Sequence, residues 1–183
     1  MKKLLVGVVV AALATTAQAA QSTSGLQYTY LQGQWSDVDF DDSVIDFDGL
    51  GASASFKINE GLFVAADHMR LSEQGAHIER LAVAGGFRMP MSRVMDINLG
   101  AGLVDYDTNF KEDDSGILAY AKVRGLIEPN WEVSAGFLYE DAITSDTAFT
   151  FSAGYRFHRQ VSVGIDTRNG DMDVTSFYLR FAF

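Results

Sequence analysis

The sequence predicts an all-β chain: an antiparallel up-and-down transmembrane β-barrel of ten strands, with eight as the alternative, behind a cleaved signal peptide. Three observations predict it. Segments of about ten residues alternate large apolar with small or polar side chains, the period of a strand with two unlike faces. Turn signals close each segment, and shorter and longer connections take turns along the chain. Charged residues fall in mid-segment on the face opposite the apolar side chains, as a polar lumen backed by a lipid-facing wall requires.

The first residues read as an export signal. Lys2 and Lys3 form a basic start, Leu4 to Ala14 is an apolar stretch, and Ala17-Gln18-Ala19 supplies the small-x-small cleavage pattern. The apolar part is shorter than the ~20 residues a spanning helix needs. We therefore expect a signal peptide over 1–19 and one barrel domain over 20–183.

The strands are expected at Leu26–Ser36, Phe47–Ile58, Leu62–Leu71, His77–Met89, Val94–Tyr106, Gly116–Glu128, Trp131–Asp141, Thr147–His158, Val161–Arg168 and Val174–Phe183. Alternation is cleanest in the last, where Phe177, Leu179, Phe181 and Phe183 share one face and Ser176, Tyr178, Arg180 and Ala182 the other. Phe149, Phe151, Ala153, Tyr155 and Phe157 repeat it. Short turns are expected at Asn59-Glu60-Gly61, Pro90-Met91-Ser92, Pro129-Asn130 and Arg159-Gln160. Longer acidic loops are expected at Asp37–Asp46, Ser72–Ala76, Asp107–Ser115, Ala142–Asp146 and Asn169–Asp173. Short periplasmic turns against longer outer loops, with an even strand count, are the hairpin plan of outer-membrane barrels. A soluble sandwich also alternates. The aromatics at the ends of the apolar face (Tyr28, Tyr30, Phe56, Phe87, Trp131, Tyr139, Phe157, Phe183) favour the barrel, since they read as an interfacial girdle. The small-residue runs Gly49–Ser55 and Gly100–Gly102 suit a crowded lumen.

Charge and cysteine content narrow the partners. Without the two signal lysines, 12 basic residues face 24 acidic ones, a formal charge of −12. Such a balance offers no basic surface for nucleic acid. The chain has no cysteine, which excludes disulfides, a thiol nucleophile and a lipidated N-terminal cysteine.

The ending Tyr178-Leu179-Arg180-Phe181-Ala182-Phe183 resembles the C-terminal signature read by the outer-membrane assembly machinery. Tyr28-Thr29-Tyr30-Leu31-Gln32-Gly33-Gln34-Trp35, Asp48-Gly49-Leu50-Gly51 and Ala153-Gly154-Tyr155-Arg156-Phe157 resemble the small "outer membrane protein beta-barrel domain" proteins of proteobacteria. That group includes the OmpA-type barrel and the OmpX, OmpW and opacity proteins. The resemblance covers essentially the whole mature chain and implies a bacterial outer-membrane location, contact with outer-membrane lipids and lipopolysaccharide, and a monomer. It implies Tyr178, Leu179, Phe181 and Phe183 as the assembly signal. Its members include adhesins, channels and lipid-modifying enzymes, and most well-known ones have eight strands, so it specifies location better than activity.

Catalytic motifs are weak. Lipid A deacylases carry His-x-Ser, whereas the histidines here read His68-Met69-Arg70, His77-Ile78-Glu79 and His158-Arg159-Gln160. Asp67, His68, His77 and Glu79 fall at the top of one hairpin, an acid–His arrangement whose plain reading is a set of rim residues. Asp37-Val38-Asp39-Phe40-Asp41-Asp42 opens like a calcium loop, with Asp48 twelfth, but Asp42 stands where that loop needs glycine and strands flank it. We expect a solvated acidic loop, and no metal or cofactor. The informative set is the expected lumen charge network of Lys57, Arg80, Arg88, Asp96, Lys122, Arg124, Glu132, Arg156, Asp166 and Arg180, with Asp67, Glu140 and Arg168 on the same face. Lys122 and Arg124 are expected to pair with Glu132 and Asp96. Mixed signs at this density predict a filled, salt-bridged barrel serving the envelope or its surface contacts, not an enzyme. The alternative is a narrow porin-like channel for small solutes.

Overall fold

A computed structural model describes residues 25–40, 46–73, 75–109, 114–142 and 144–183. The expected signal segment, with Asp41 and Asp42 of the first loop, lies outside them. Ten antiparallel strands form a closed barrel: β1 Tyr30–Phe40, β2 Phe47–Lys57, β3 Leu62–Glu73, β4 Ala76–Pro90, β5 Met95–Thr108, β6 Asp114–Glu128, β7 Trp131–Ala142, β8 Thr144–His158, β9 Val161–Asn169 and β10 Met172–Ala182. Each pairs with its sequence neighbours, and β1 closes on β10 with Trp35 opposite Phe177 and Tyr30 opposite Ala182. Closure leaves no unpaired strand edge, the condition for β-structure in a bilayer. No helix among the described residues is long and apolar enough to cross a membrane.

The turns at one end follow local chemistry. The Asn59 side-chain oxygen accepts from the amides of Gly61 and Leu62, both at 2.9 Å, folding the chain between β2 and β3. Pro129-Asn130 joins β6 to β7 beside an irregularity between Leu126 and Glu128. These turns mark the end we call periplasmic. At the opposite, outer end the strands run further than the apolar alternation suggests. Strands β4, β6 and β8 each hold 15 residues, whereas about 9–11 suffice to cross. Within the expected loops Asp37–Asp46, Asp107–Ser115 and Ala142–Asp146, residues 37–40, 107–108, 114–115, 142 and 144–146 are therefore strand. Backbone pairing continues past the membrane because acidic residues can alternate too: Asp37 pairs with Asp48 and with Thr175.

The outside carries the apolar side chains. Leu50 is 70 % exposed and Leu103 68 %, a cost in water that a bilayer removes. Phe177, Leu179 and Phe181 also point out. Aromatic pairs reinforce the belt: Trp35 with Phe177 at 6.1 Å, Trp131 with Tyr155 at 5.2 Å, Phe137 with Phe149 at 5.7 Å. Phe87, Trp131 and Phe157 are exposed as expected of a girdle, and Phe183 is half-buried beside Phe181. Tyr28 and Tyr30 are not part of it. Tyr28 precedes β1 and turns into the lumen, where it is buried, and Tyr30 lies under the Arg180 guanidinium. Their hydroxyls make the interior available to them, which an apolar-face reading overlooks.

Candidate functional site

Inward-facing positions of all ten strands build the lumen, and its charges sort into levels. Lowest, near the periplasmic mouth, Arg88 Nε donates to Asp96 Oδ2 at 2.6 Å. Tyr28 Oη donates to the same oxygen at 2.9 Å and lies 2.8 Å from Asn98 Oδ1. Lys57 bonds Glu60 in the adjacent turn at 2.7 Å, which holds the exposed Glu60 carboxyl below the usual carboxylate range.

Above them Glu132 on β7 gathers three arginines. Arg124 Nε donates to Oε1 at 2.9 Å, Arg180 Nη1 to the same oxygen at 3.0 Å, and Arg156 Nη2 to Oε2 at 3.4 Å. Arg180 also donates to Gln32 at 2.9 Å and lies over the rings of Tyr30 and Tyr178. Eight residues further along β7, about 26 Å of strand, Glu140 is the second hub. It accepts from Arg80, from Arg168 Nη1 at 3.0 Å and from Tyr106 Oη at 2.9 Å. Arg80 reaches on to Asp67 at 2.6 Å, and Arg168 lies 3.6 Å from Asp146.

Of the expected pairings, the structure brings Arg124 to Glu132. It does not bring Lys122 to either acid, and Asp96 is occupied by Arg88 and Tyr28. Lys122 instead lies with its ammonium 5.3 Å from the Tyr120 ring centre. Asp166 is held by the Ser152 hydroxyl and sits 3.4 Å from Gln32 Nε2. The acid–His arrangement divides between faces. His68 Nε2 and Glu79 Oε1 meet at 3.0 Å on the outside, while Asp67 points inward to Arg80.

Two apolar groups were not apparent from the sequence. At the outer mouth Val38, Phe47, Leu71, Ile78, Val104 and Tyr106 pack across the lumen. Val38 and Leu71 are 0 % exposed and Val104 1 %, so water does not reach them. At the periplasmic mouth the segment before β1 folds inward: Leu26, also 0 % exposed, packs with Tyr28 and Phe63. Gln27 Nε2 ties this segment to the Arg159 carbonyl at 2.6 Å. Between these two apolar groups lies a chamber of about 340 Å³, where Lys122, Asp166, Ser53, Ser134 and Gln32 meet apolar side chains such as Phe63, Leu118 and Val174. At about 30 Å³ per water it has room for a small hydrated cluster.

No protein-family model matches the chain, and no curated protein matches it. Solved structures do. The chain is similar to the KdgM porin in complex with disordered oligogalacturonate, at TM-score 0.50 and 9 % identity over 84 % of this chain and 99 % of that one. It is also similar to Neisserial surface protein A (TM-score 0.48, 16 % identity, 84 % and 96 % covered). An outer membrane channel from Pseudomonas putida F1 follows (TM-score 0.48, 8 % identity, 91 % and 100 % covered). The first of these likenesses shows the fold. With the apolar exterior, it makes this chain an integral β-barrel of the bacterial outer-membrane type.

Proposed function

We propose that the chain is a monomeric, non-enzymatic barrel of the bacterial outer membrane that is closed at rest, with an envelope-structural or surface-interaction role. One observation supports this reading: apolar side chains pack inside the lumen near each mouth, as two seals would. Ions pass a hydrophobic constriction only when it wets, so neither seal conducts as it stands. The ionic levels tie neighbouring and more distant strands of the ring together, a stiffening role rather than a selectivity filter. The non-enzymatic reading draws on the acid–His residues. The His68–Glu79 pair faces outward, and the neighbouring Asp67 is committed to Arg80 in the lumen, so the expected acid–His set is divided between two faces. Within this reading the relatives are the OmpA-type, OmpX, OmpW and opacity-like barrels. Its partners are outer-membrane lipids and lipopolysaccharide, and Tyr178, Leu179, Phe181 and Phe183 address the assembly machinery.

The chamber, with its charged and hydroxyl side chains, favours a second reading, a narrow channel that opens on a signal. Planar-bilayer recording separates the two. The purified barrel is expected to show no steady conductance, and a large, stable conductance in the unmodified protein would overturn the closed reading and promote the channel.

A further inference from the structure

The charges of the lumen do not balance level by level. In the upper level Arg80 and Arg168 stand against Asp67, Glu140 and Asp146. At the lowest level Arg88 is matched by Asp96. In the middle, three guanidiniums share the single carboxylate of Glu132. Lys122 faces the chamber beside them. Among the described residues no carboxylate oxygen lies within 4.0 Å of its ammonium. The nearest acid in this level, Asp166, is already held by Ser152 and Gln32. Among the side chains that line the chamber, the cations of Arg80, Lys122, Arg124, Arg168 and Arg180 face the carboxylates of Asp67, Glu132 and Asp166. The rings of Tyr28, Tyr30, Tyr120 and Tyr178 lie against these cations and ease their desolvation, but a ring carries no net charge to cancel them.

A second observation points the same way. Arg124 Nη2 is buried, and although it lies 2.8 Å from Glu132 Oε1 it has no aligned acceptor. The ion-pair contact compensates its charge, and a better-aligned acceptor would complete its hydrogen bonding. Both Lys122 and Arg124 line the chamber.

We propose that the chamber is an anion site. A small monovalent anion of halide size sits against Lys122 Nζ and the free edge of Arg124, offsetting the positive excess around Glu132. The class follows from the surroundings. The excess is small, Asp166 and Glu132 limit how much further negative charge fits, and the apolar seals admit only what enters during folding or transient opening. The Ser53 hydroxyl of the wall adds a donor to its hydrogen-bonded shell, as donors do around any buried charge.

The test uses the full barrel in detergent. Crystals grown with bromide are expected to show an anomalous peak beside Lys122. Replacing gluconate by chloride at constant ionic strength should raise the unfolding temperature, because a ligand that binds only the folded state stabilises it. Lys122→Gln should weaken that chloride dependence about tenfold or more, as loss of a charge-assisted bond implies. Lys122→Arg should keep it, and Asp166→Asn should strengthen it by removing the competing carboxylate. Should Lys122→Gln not fold, the wild-type bromide map and Lys122→Arg decide. No bromide at Lys122, equal midpoints in chloride and gluconate, or a folded Lys122→Gln with undiminished chloride dependence would each overturn the proposal. None of these outcomes bears on whether the barrel conducts, so the closed reading is tested separately.

Discussion

Removing the carboxylate of Glu132 is the most informative single change. Its two oxygens receive Arg124, Arg156 and Arg180 at 2.9–3.4 Å, and the side chains involved are between 9 % and 17 % exposed. In Glu132→Ala three guanidiniums lose their only common partner inside a lumen that cannot hydrate all of them. Breaking one buried pair from one side costs about 3–5 kcal/mol. The three contacts share one acceptor and do not add, and chamber water rehydrates part of the deficit, so the expected loss for the whole hub is about 3–5 kcal/mol. Glu132→Gln keeps an acceptor without the charge and should lose less, about 1–3 kcal/mol. Urea unfolding in lipid vesicles, followed by Trp35 and Trp131 fluorescence, measures both. A double variant, Glu132→Ala with Arg180→Ala, should recover part of the loss because one orphaned charge is gone. A loss below about 1 kcal/mol for Glu132→Ala would refute the reasoning, since that is the worth of a solvated pair.

Other changes probe other parts of the barrel. Leu179→Arg and Leu99→Arg, on the exposed apolar outside, should each cost about 2–4 kcal/mol near mid-membrane in the same unfolding assay. Asp107→Arg at the outer rim should stay within about 0.5 kcal/mol; equal tolerance at Leu99 and Asp107 would contradict a lipid-facing wall. Tyr28→Phe removes the donor to Asp96 while Arg88 still serves that acid, for an expected loss of about 0.5–1.5 kcal/mol by urea unfolding. Deleting Phe183 should lower the amount of folded barrel in outer-membrane fractions, read from its heat-sensitive mobility in SDS gels; normal levels would remove it from the assembly signal.

The architecture was largely legible because a transmembrane strand exposes its two faces to unlike surroundings. The alternation through Phe177, Leu179 and Phe181 against Ser176 and Arg180 specifies the faces of β10, and turn residues such as Pro129-Asn130 separate the hairpins. Ten strands follow from both. Strand tops were harder, because acidic residues such as Asp37 and Asp39 read as loop although their backbones pair. The lumen was legible in composition but only partly in partnership. Glu132 and Arg124 are hairpin neighbours eight residues apart, whereas Arg80 and Glu140 are 60 apart and meet across the barrel. Which walls face each other depends on closure and tilt, which no local pattern encodes. The seals were missed for a related reason. Val38, Leu71, Ile78 and Val104 are apolar residues in the phase of the polar face, and alternation alone reads such positions as noise.

The seals and the ionic levels depend on each other. An open lumen would let water and salt reach the pairs, and solvated pairs contribute little. Excluding water raises the worth of every pair between the seals, and makes an unpaired charge costlier in the same measure. In return, the Arg88–Asp96 pair and the Tyr28 hydroxyl bond to Asp96 anchor the very segment that carries Leu26 into the periplasmic mouth. The outer seal is coupled likewise, since Tyr106 belongs to it and also donates to Glu140. Each mouth therefore has its own latch. On the proposed closed reading, a continuous aqueous path requires both apolar groups to part.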